Sequence, residues 1–461
     1  MATRIEITNT RALRALRRSG VAFTLGLLAT ACGNTSDHAS SANAGSAEQG
    51  SGGSGAALGG ASSAGGAPAS VASSAAGSSS TLAGAAGVGV AGSGAGAGAV
   101  GGGAAGGVAG APSGGTGNSG SAGGAGAGGS VSGVADDCTG ATAAALSGCT
   151  GTSPISCNFG GAVGHYDVKL LLGGPSAAST SGFAESRRFM FPETQTVAQA
   201  SQCVSFTVNV RQPEGQPQEA TAAPGLPGLQ LRLDGNAPHV TAVLVTKAVD
   251  PVVVYLAGDS TVCDQDPQLD LAPASRYTGW GQVIPQYFGH GLSIANYADS
   301  GENSSSFRAP DGSFWKPIEA GLKAGDYVII QLGHNDKTTP AATYHANILS
   351  MINATKAKNA TPILVTPMVR NTGQPLAQQH IYGDLNVRSE LLSLSMTESV
   401  TLIDLMLKSS EWATMLGQTA AQAYFVPGQT THSNEAGAQV FGGFVIDGVR
   451  ASGLPIVKFL R

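Results

Sequence analysis

Charge is scarce in this chain. Asp, Glu, Lys and Arg make up 11% of its 461 residues, and aromatic residues only 5%. The shortage is local. Residues 41–130 contain no aromatic residue, no Lys, no Arg and a single acid, Glu48, yet they carry 32 of the 68 glycines. Such a segment cannot bury enough apolar surface to offset the entropy of ordering its backbone. The mean hydropathy of +0.09 does not contradict this, because alanine raises it without supplying a core. Glycine does not recur at every third position there and proline is sparse, which excludes a collagen-like helix. The chain also lacks a CxxC pair or a His/Cys cluster, so no zinc site is expected. No glycine-rich, phosphate-cradling loop follows a strand, so no nucleotide cofactor is expected either.

Long apolar runs are missing as well. The run Val21 to Ala31 falls short of the roughly 20 residues a bilayer span needs. Arg4, Arg11, Arg14, Arg17 and Arg18 precede it, and a basic stretch before a short apolar one reads as a secretory signal. The run ends in LLATAC and resembles a bacterial lipobox, with Cys32 as the lipidated residue and Ala29 where leucine is commoner. Gly33, rather than an aspartate, follows the cysteine, which by that resemblance implies export to the outer membrane or cell surface. The only membrane contact expected is this N-terminal lipid anchor. Residues 1–31 carry five Arg and one Glu, and removing their +4 from the formal −5 leaves −9. An acidic chain without a basic run is a poor nucleic-acid ligand, since phosphate binding needs Lys and Arg to displace counterions.

These features predict a signal peptide at 1–31 and a disordered Gly/Ala/Ser-rich tether at 32–136. For a flexible coil of that length the r.m.s. reach is roughly 50–60 Å. Residues 157–247, within an expected domain at 137–250, alternate with period two. Val204, Phe206, Val208 and Val210 share a face opposite Ser205, Thr207 and Asn209, and Leu229, Leu231 and Leu233 repeat the pattern. Short half-buried strands separated by Gly and Pro predict a small β-sandwich, a candidate carbohydrate-binding module. The expected pairing of its cysteines is Cys138–Cys149 and Cys157–Cys203, with Cys263 left free.

From 251 to 461 the rhythm changes. Apolar runs at 252–258, 292–298, 326–333, 361–367 and 400–405 alternate with helical stretches at 280–288, 314–324, 341–359, 376–396 and 434–452. Five β-then-α units predict an α/β domain with a flavodoxin-like, doubly wound, five-stranded parallel sheet. Ligands bind such sheets beyond the carboxyl ends of the strands, which directs attention to the loops after Gly258, Ala298 and Gly333.

Those loops read GDST (258–261), NYADSGENSSSF (296–307) and GHND (333–336), and THSNEAGA (431–438) opens the last helix. Together with GWGQVIPQYF (279–288) and VTPMVR (365–370), they resemble the SGNH (GDSL) hydrolase superfamily, and within it the rhamnogalacturonan acetylesterases, over most of 251–461. The resemblance implies a serine esterase that needs no metal and acts on an acetylated polysaccharide. It assigns Ser260 as nucleophile and His432 as base. It assigns an oxyanion hole to the Ser260 and Gly301 backbone N–H groups and the Asn335 side-chain amide. The chemistry agrees, since a serine needs an adjacent base and the tetrahedral intermediate needs convergent donors. Asp259, Asp336, His290, His334, His345 and Cys263 read as structural. Arg308, Lys337 and Arg370 lie in or beside the motif stretches, where two readings stay open: contact with an anionic glycan, or surface solubility alone.

One position departs from the family pattern. An acid stands three residues before the histidine in the family, and here Gln429 occupies that place. An amide can orient the imidazole but cannot stabilise its charged form. Three outcomes stay open: a Ser–His dyad with Gln429 as neutral orienter, substitution by another carboxylate such as Glu435, or a weakly catalytic protein that binds carbohydrate. A lipase or thioesterase of the same superfamily is a further alternative.

Overall fold

Eight antiparallel strands come first in the chain: β1 (Cys149–Thr150), β2 (Ile155–Gly160), β3 (Gly164–Gly173), β4 (Ala178–Ala184), β5 (Arg188–Thr196), β6 (Ser201–Val210), β7 (Leu229–Asp234) and β8 (Val240–Lys247). The computed structural model describes residues 135–185, 187–211, 227–309, 312 and 314–461. The signal-like stretch, Cys32 and nearly all of the glycine-rich tether lie outside them. The strands form a five-stranded sheet in the order β1-β2-β7-β4-β5 and a three-stranded sheet in the order β6-β3-β8. One apolar cluster lies between the two sheets. It takes Val168, Leu170 and Leu172 from β3, Phe206 and Val208 from β6, Phe191 from β5 and Leu231 and Leu233 from β7.

The alternation in β6 does not mark a solvent face. Ser205, Thr207 and Asn209 are as buried as the apolar residues between them, because they abut the second half of the chain. Gly291 N–H donates to Thr207 Oγ1 at 2.9 Å, and the Arg461 guanidinium donates to the Ser205 carbonyl. On the neighbouring strand, His165 Nδ1 meets Ser293 Oγ at 2.7 Å.

The cysteine pairing differs from the expected one. Cys138 joins Cys203 and Cys149 joins Cys157, while Cys263 is a buried free thiol. Strand register explains both bonds. Cys149 and Cys157 are direct partners across the β1–β2 pair. Cys203 pairs with Leu171 of β3, and Cys138 Sγ lies 3.1 Å from the adjacent Leu170 carbonyl.

The second half is a parallel sheet of β9 (Val252–Gly258), β10 (Leu292–Asn296), β11 (Tyr327–Gln331), β12 (Thr361–Val365) and β15 (Thr401–Ile403), in the order β10-β9-β11-β12-β15. This is the flavodoxin-like order, and the expected doubly wound sheet is present. Successive β9 residues serve opposite layers. Val254 and Leu256 pack with Trp280, Phe441, Val445 and Val449. Val253, Tyr255 and Ala257 pack with Trp315, Ile318, Ile348 and Ile352. The first layer is carried by α1 (Trp280–Val283), α6 (Leu405–Leu416) and α8 (Glu435–Ala451); the second by α3 (Trp315–Gly321), α4 (Ala341–Ala357) and α5 (Val387–Glu398). With both faces covered, the strands read as continuous apolar runs.

Helix boundaries differ from expectation in three places. The stretch predicted at 280–288 becomes a 3₁₀ turn after Val283, with Pro285 inside it. The stretch predicted at 376–396 holds a 3₁₀ turn at Leu376–Gln378 and becomes α-helical only from Val387, where Asn386 accepts the Ser389 N–H as N-cap. Before it lies a small hairpin of β13 (Ile381–Tyr382) and β14 (Leu385–Asn386) around Gly383. Strand β15 ends at Ile403, and Asp404 caps α6 by accepting from Leu407 N–H at 3.2 Å. Among the described residues, the remaining α-helices are the single turns α2 (Ser304–Phe307) and α7 (Gln418–Ala421).

The disulfides span 65 and 8 residues of sequence. Loop-closure entropy then assigns about 4 kcal/mol of stability to the longer and about 2.5 kcal/mol to the shorter. Cys203→Ser is expected to lower the denaturant midpoint more than Cys157→Ser; equal shifts would show that loop entropy does not govern these bonds.

Candidate active site

The loops that follow β9, β10 and β11 and the loop that precedes α8 meet at the carboxyl edge of the sheet. Ser260 stands two residues past the end of β9, half-buried, and its Oγ lies 3.0 Å from His432 Nε2. On the far side of the ring, Nδ1 donates to Gln429 Oε1 at 3.3 Å. That bond places the proton on Nδ1 and leaves Nε2 as acceptor for the serine hydroxyl. Glu435, the alternative carboxylate, instead pairs with Arg276 at 2.8 Å.

A buried polar chain supports the serine turn. Asp259 Oδ1 accepts from Thr261 N–H at 3.0 Å and from Thr261 Oγ1 at 2.8 Å. The same hydroxyl accepts from Gln331 Nε2 at 2.7 Å, and Gln331 Oε1 accepts from Trp280 Nε1 at 2.8 Å. Each hydroxyl and amide thus has its partner, as a dry interior requires. Burial pushes the Asp259 carboxyl up to about 6. Its contacts are those of a brace, with the serine turn rather than with the histidine.

Gly301 lies at φ +82°, and an added Cβ would meet nothing within 4 Å. Backbone conformation, not crowding, selects glycine there. The Asn335 amide donates to the Glu302 carbonyl at 3.1 Å, which places it beside the Gly301 peptide. An amide nitrogen has two N–H groups, so one remains for a ligand. Gly333 sits at φ +142° and is closed in by Val387 and Pro367, 2.6 and 2.9 Å from a hypothetical Cβ. Asp336 pins the two loops together. Its carboxylate accepts from Ser304 N–H at 3.0 Å and from Ser304 Oγ at 2.6 Å.

His432 titrates below its ordinary range, first because of burial and second because of the Arg370 cation. Arg370 itself is half-buried. It donates through Nη2 to the His334 carbonyl at 2.8 Å and lies 6.0 Å from the Tyr382 ring centre, so it braces the GHND loop. Arg308 is half-buried and Lys337 is exposed. His334 is buried edge-on against His380, and burial holds its pKa well below the ordinary value. His290 faces Asp167 at 3.1 Å and His345 faces Glu390 at 2.5 Å. Burial raises the Cys263 thiol well above its usual range, which makes it a poor nucleophile. Among the described residues, no three His, Cys, Asp or Glu side chains gather so as to hold a metal ion.

Two sets of neighbours escape a motif reading. Tyr277 packs edge-on to His432, with ring centres 5.3 Å apart. It belongs to a segment clasped to the histidine loop by Thr278 N–H to the Ser433 carbonyl (3.0 Å) and Ser433 Oγ to the Thr278 carbonyl (2.8 Å). From the other side, Asn371 N–H donates to the Thr430 carbonyl at 2.8 Å, and Asn371 Nδ2 to Gln422 Oε1 at 2.8 Å. Gln422 Nε2 in turn donates to the Gln429 carbonyl at 2.9 Å. Neutral amides therefore fix the loop that carries the orienter. The only sequence signals were the proximity of Tyr277 to GWGQ and of Asn371 to VTPMVR.

The chain is similar in sequence to known proteins of one hydrolase family. The GDSL-like Lipase/Acylhydrolase family matches residues 256–440. The esterase YxiM of Bacillus subtilis, described as uncharacterized, is 33% identical over 232 residues, 48% of this chain and 58% of that protein. The chain thus spans little more than half of that relative. A solved structure of the Bacillus subtilis protein is 29% identical, covering 66% of this chain and 81% of that one, with a TM-score of 0.41. The rhamnogalacturonan acetylesterase RhgT of Bacillus subtilis is 30% identical over 228 residues, 46% of this chain and 94% of that protein. With a relative matched over nearly its whole length, and with Ser260, Gly301, Asn335 and His432 gathered at one sheet edge, the chain belongs to the GDSL-like lipase/acylhydrolase family.

Proposed function

We propose that this protein is a carbohydrate esterase that removes acetyl groups from a pectic polysaccharide of the rhamnogalacturonan type. The observation that carries the reading is the 3.0 Å contact of Ser260 Oγ with His432 Nε2 at the carboxyl edge of the sheet. The similarity to a relative named rhamnogalacturonan acetylesterase supports the substrate class.

On this reading Ser260 Oγ attacks the acetyl carbonyl carbon as its proton passes to His432 Nε2. The carbonyl oxygen becomes an oxyanion that accepts from the Ser260 and Gly301 N–H groups and from Asn335 Nδ2. The tetrahedral adduct collapses, the bond from the acyl carbon to the sugar oxygen breaks, and Nε2–H protonates that leaving oxygen to give the sugar hydroxyl. Water then attacks the acetyl-serine, giving its proton to Nε2. The second adduct releases acetate and returns the proton to Ser260 Oγ. Gln429 keeps the imidazole in the required tautomer at every step. As an uncharged group it leaves the imidazolium less stabilised than a carboxylate would, a difference that reaches about 10⁴-fold in kcat in a serine protease.

The neutral orienter also favours a second reading, a carbohydrate-binding protein with little turnover. Labelling of Ser260 by a fluorophosphonate separates the two, since a binding protein without a working nucleophile stays unlabelled. On either reading, residues 137–250 form a β-sandwich domain and 251–461 the esterase domain. Export and acylation at Cys32 complete the proposal. Retention of the Cys32→Ser protein in the membrane fraction would overturn that part.

Acetate release from acetylated rhamnogalacturonan tests the activity. Ser260→Ala is expected to abolish it, and Asn335→Ala to lower kcat by about 10²–10³-fold, the usual effect of losing one oxyanion donor. Wild-type release no greater than that of Ser260→Ala would refute the reading. The pH dependence follows from the depressed histidine. The base works when neutral, so kcat/KM should rise with pH through a value below 6.5 and then level off. Gln429→Asp places an anion on Nδ1, which favours imidazolium, and should move that limb up by about 1–3 pH units while raising kcat. An unmoved limb would show that a different group supplies the base.

A further inference from the structure

The turn that carries Ser260 is held from two directions, and one of them is the antiparallel half of the molecule. Asp264, four residues after the serine, is buried with its side chain 1% exposed. Arg188, at the start of β5, donates through Nε to Asp264 Oδ2 at 2.6 Å and is itself 2% exposed. A second nitrogen of the same guanidinium donates to the Asn209 carbonyl at the end of β6. Arg211 approaches Asp264 Oδ2 at 3.7 Å, and Arg187 donates to the Asp264 carbonyl at 3.3 Å. From the parallel sheet, Asn296 Nδ2 donates to Asp264 Oδ1 at 2.9 Å.

The adjacent residue carries the constraint to the serine. Gln265 Nε2 donates to the Ser260 carbonyl at 2.8 Å. Gln265 N–H donates to Gln282 Oε1 at 3.2 Å, and Gln282 Nε2 to the Arg187 carbonyl at 3.0 Å. Three successive hydrogen bonds, through Gln265 and Gln282, thus join the Ser260 carbonyl to Arg187, the residue before β5.

Stability alone accounts poorly for this cluster. Dehydrating a carboxylate and several guanidinium groups costs several kcal/mol per ion, and apolar side chains of equal volume often stabilise a fold as well or better. A planar guanidinium seated on a carboxylate supplies something apolar packing does not, a fixed direction and register. We propose that Arg188 is a positioning residue for the nucleophile: by holding Asp264 it sets the Ser260 turn, and so makes the antiparallel sheets part of the catalytic unit. The proposal rests on Ser260 being the nucleophile.

The test uses the full chain and two reagents independent of the natural glycan, p-nitrophenyl acetate and a fluorophosphonate. Wild type, Arg188→Met, Arg188→Lys and Asp264→Asn are compared for kcat, KM and the rate of Ser260 labelling, with thermal unfolding as the check on folding. A misplaced nucleophile should lower kcat and labelling about tenfold to a hundredfold, with KM little changed. Arg188→Lys, which keeps the charge and loses the planar fork, should recover only part of the rate. The Arg188→Met/Asp264→Asn double variant should lose less than the product of the two single losses. Any folded single variant with wild-type kcat and labelling overturns the proposal, and Arg188→Lys carries the decision if Arg188→Met does not fold. Absence of labelling in wild type would instead refute Ser260 as nucleophile.

Discussion

A hydroxyl and an imidazole 172 residues apart in sequence must meet at 3.0 Å. Most of the fold's particulars serve that requirement. Parallel strands point their carboxyl ends the same way, so one sheet edge collects the ends of β9, β10 and β11 without further chain. Helix α8 must then return its first turn to that edge, and its cap shows how it does so. Asn434 Oδ1 accepts the Gly437 N–H at 3.0 Å, while Asn434 Nδ2 reaches the Ala423 and Ala274 carbonyls. One amide side chain both starts the helix and anchors it two residues from the histidine.

The loops at that edge are tied to one another by side-chain hydrogen bonds. Asp336 of one holds Ser304 of the next, Asn335 holds Glu302, and Arg370 holds the His334 carbonyl. Preorganisation of this kind matters for an oxyanion site, since donors that are already aimed need not reorganise as charge develops. Burial costs the carboxyls something in return. Desolvation raises the pKa of Asp336 and pushes Asp259 up to about 6. Stability invested in those groups in their charged form is correspondingly less, and the hydrogen bonds from Ser304 and Thr261 offset part of the loss.

The parallel sheet and its chemical edge were legible because both leave local marks. Strands covered on two faces appear as apolar runs, and the residues at their ends, GDST and GHND, are too polar to belong to those runs. What was not legible depends on contacts between segments far apart. Disulfide partners follow from register across β1–β2 and β3–β6, which composition does not encode. The polar side of β6 looks like a solvent face until the second half of the chain is placed against it. Asn371 and Gln422 are unremarkable amides in sequence, and only the folded turn brings them to Gln429. Helix α6 was hidden because its first residue, Leu405, reads equally well as the last residue of an apolar strand.

The replacement of an acid by Gln429 has a physical logic that extends past the rate of one step. A carboxylate behind a buried histidine must itself be dehydrated in the resting protein and is rewarded only when the imidazole takes a proton. An amide avoids the first cost and forgoes the second benefit. The surroundings match that choice. Asn371 and Gln422, which hold the Gln429 loop, are neutral, and the cation with a resolved influence on His432, Arg370, opposes protonation. The site is therefore arranged to keep its histidine neutral, with orientation supplied by hydrogen bonds and not by charge. In the proposed mechanism, the negative charge that develops nearest the imidazole during attack is the oxyanion, on the side away from Gln429. On that proposal the donors at Gly301 and Asn335 bear more of the stabilisation than they would beside an acid-backed histidine, which makes the loops held by Asp336 and Arg370 the more consequential part of the site.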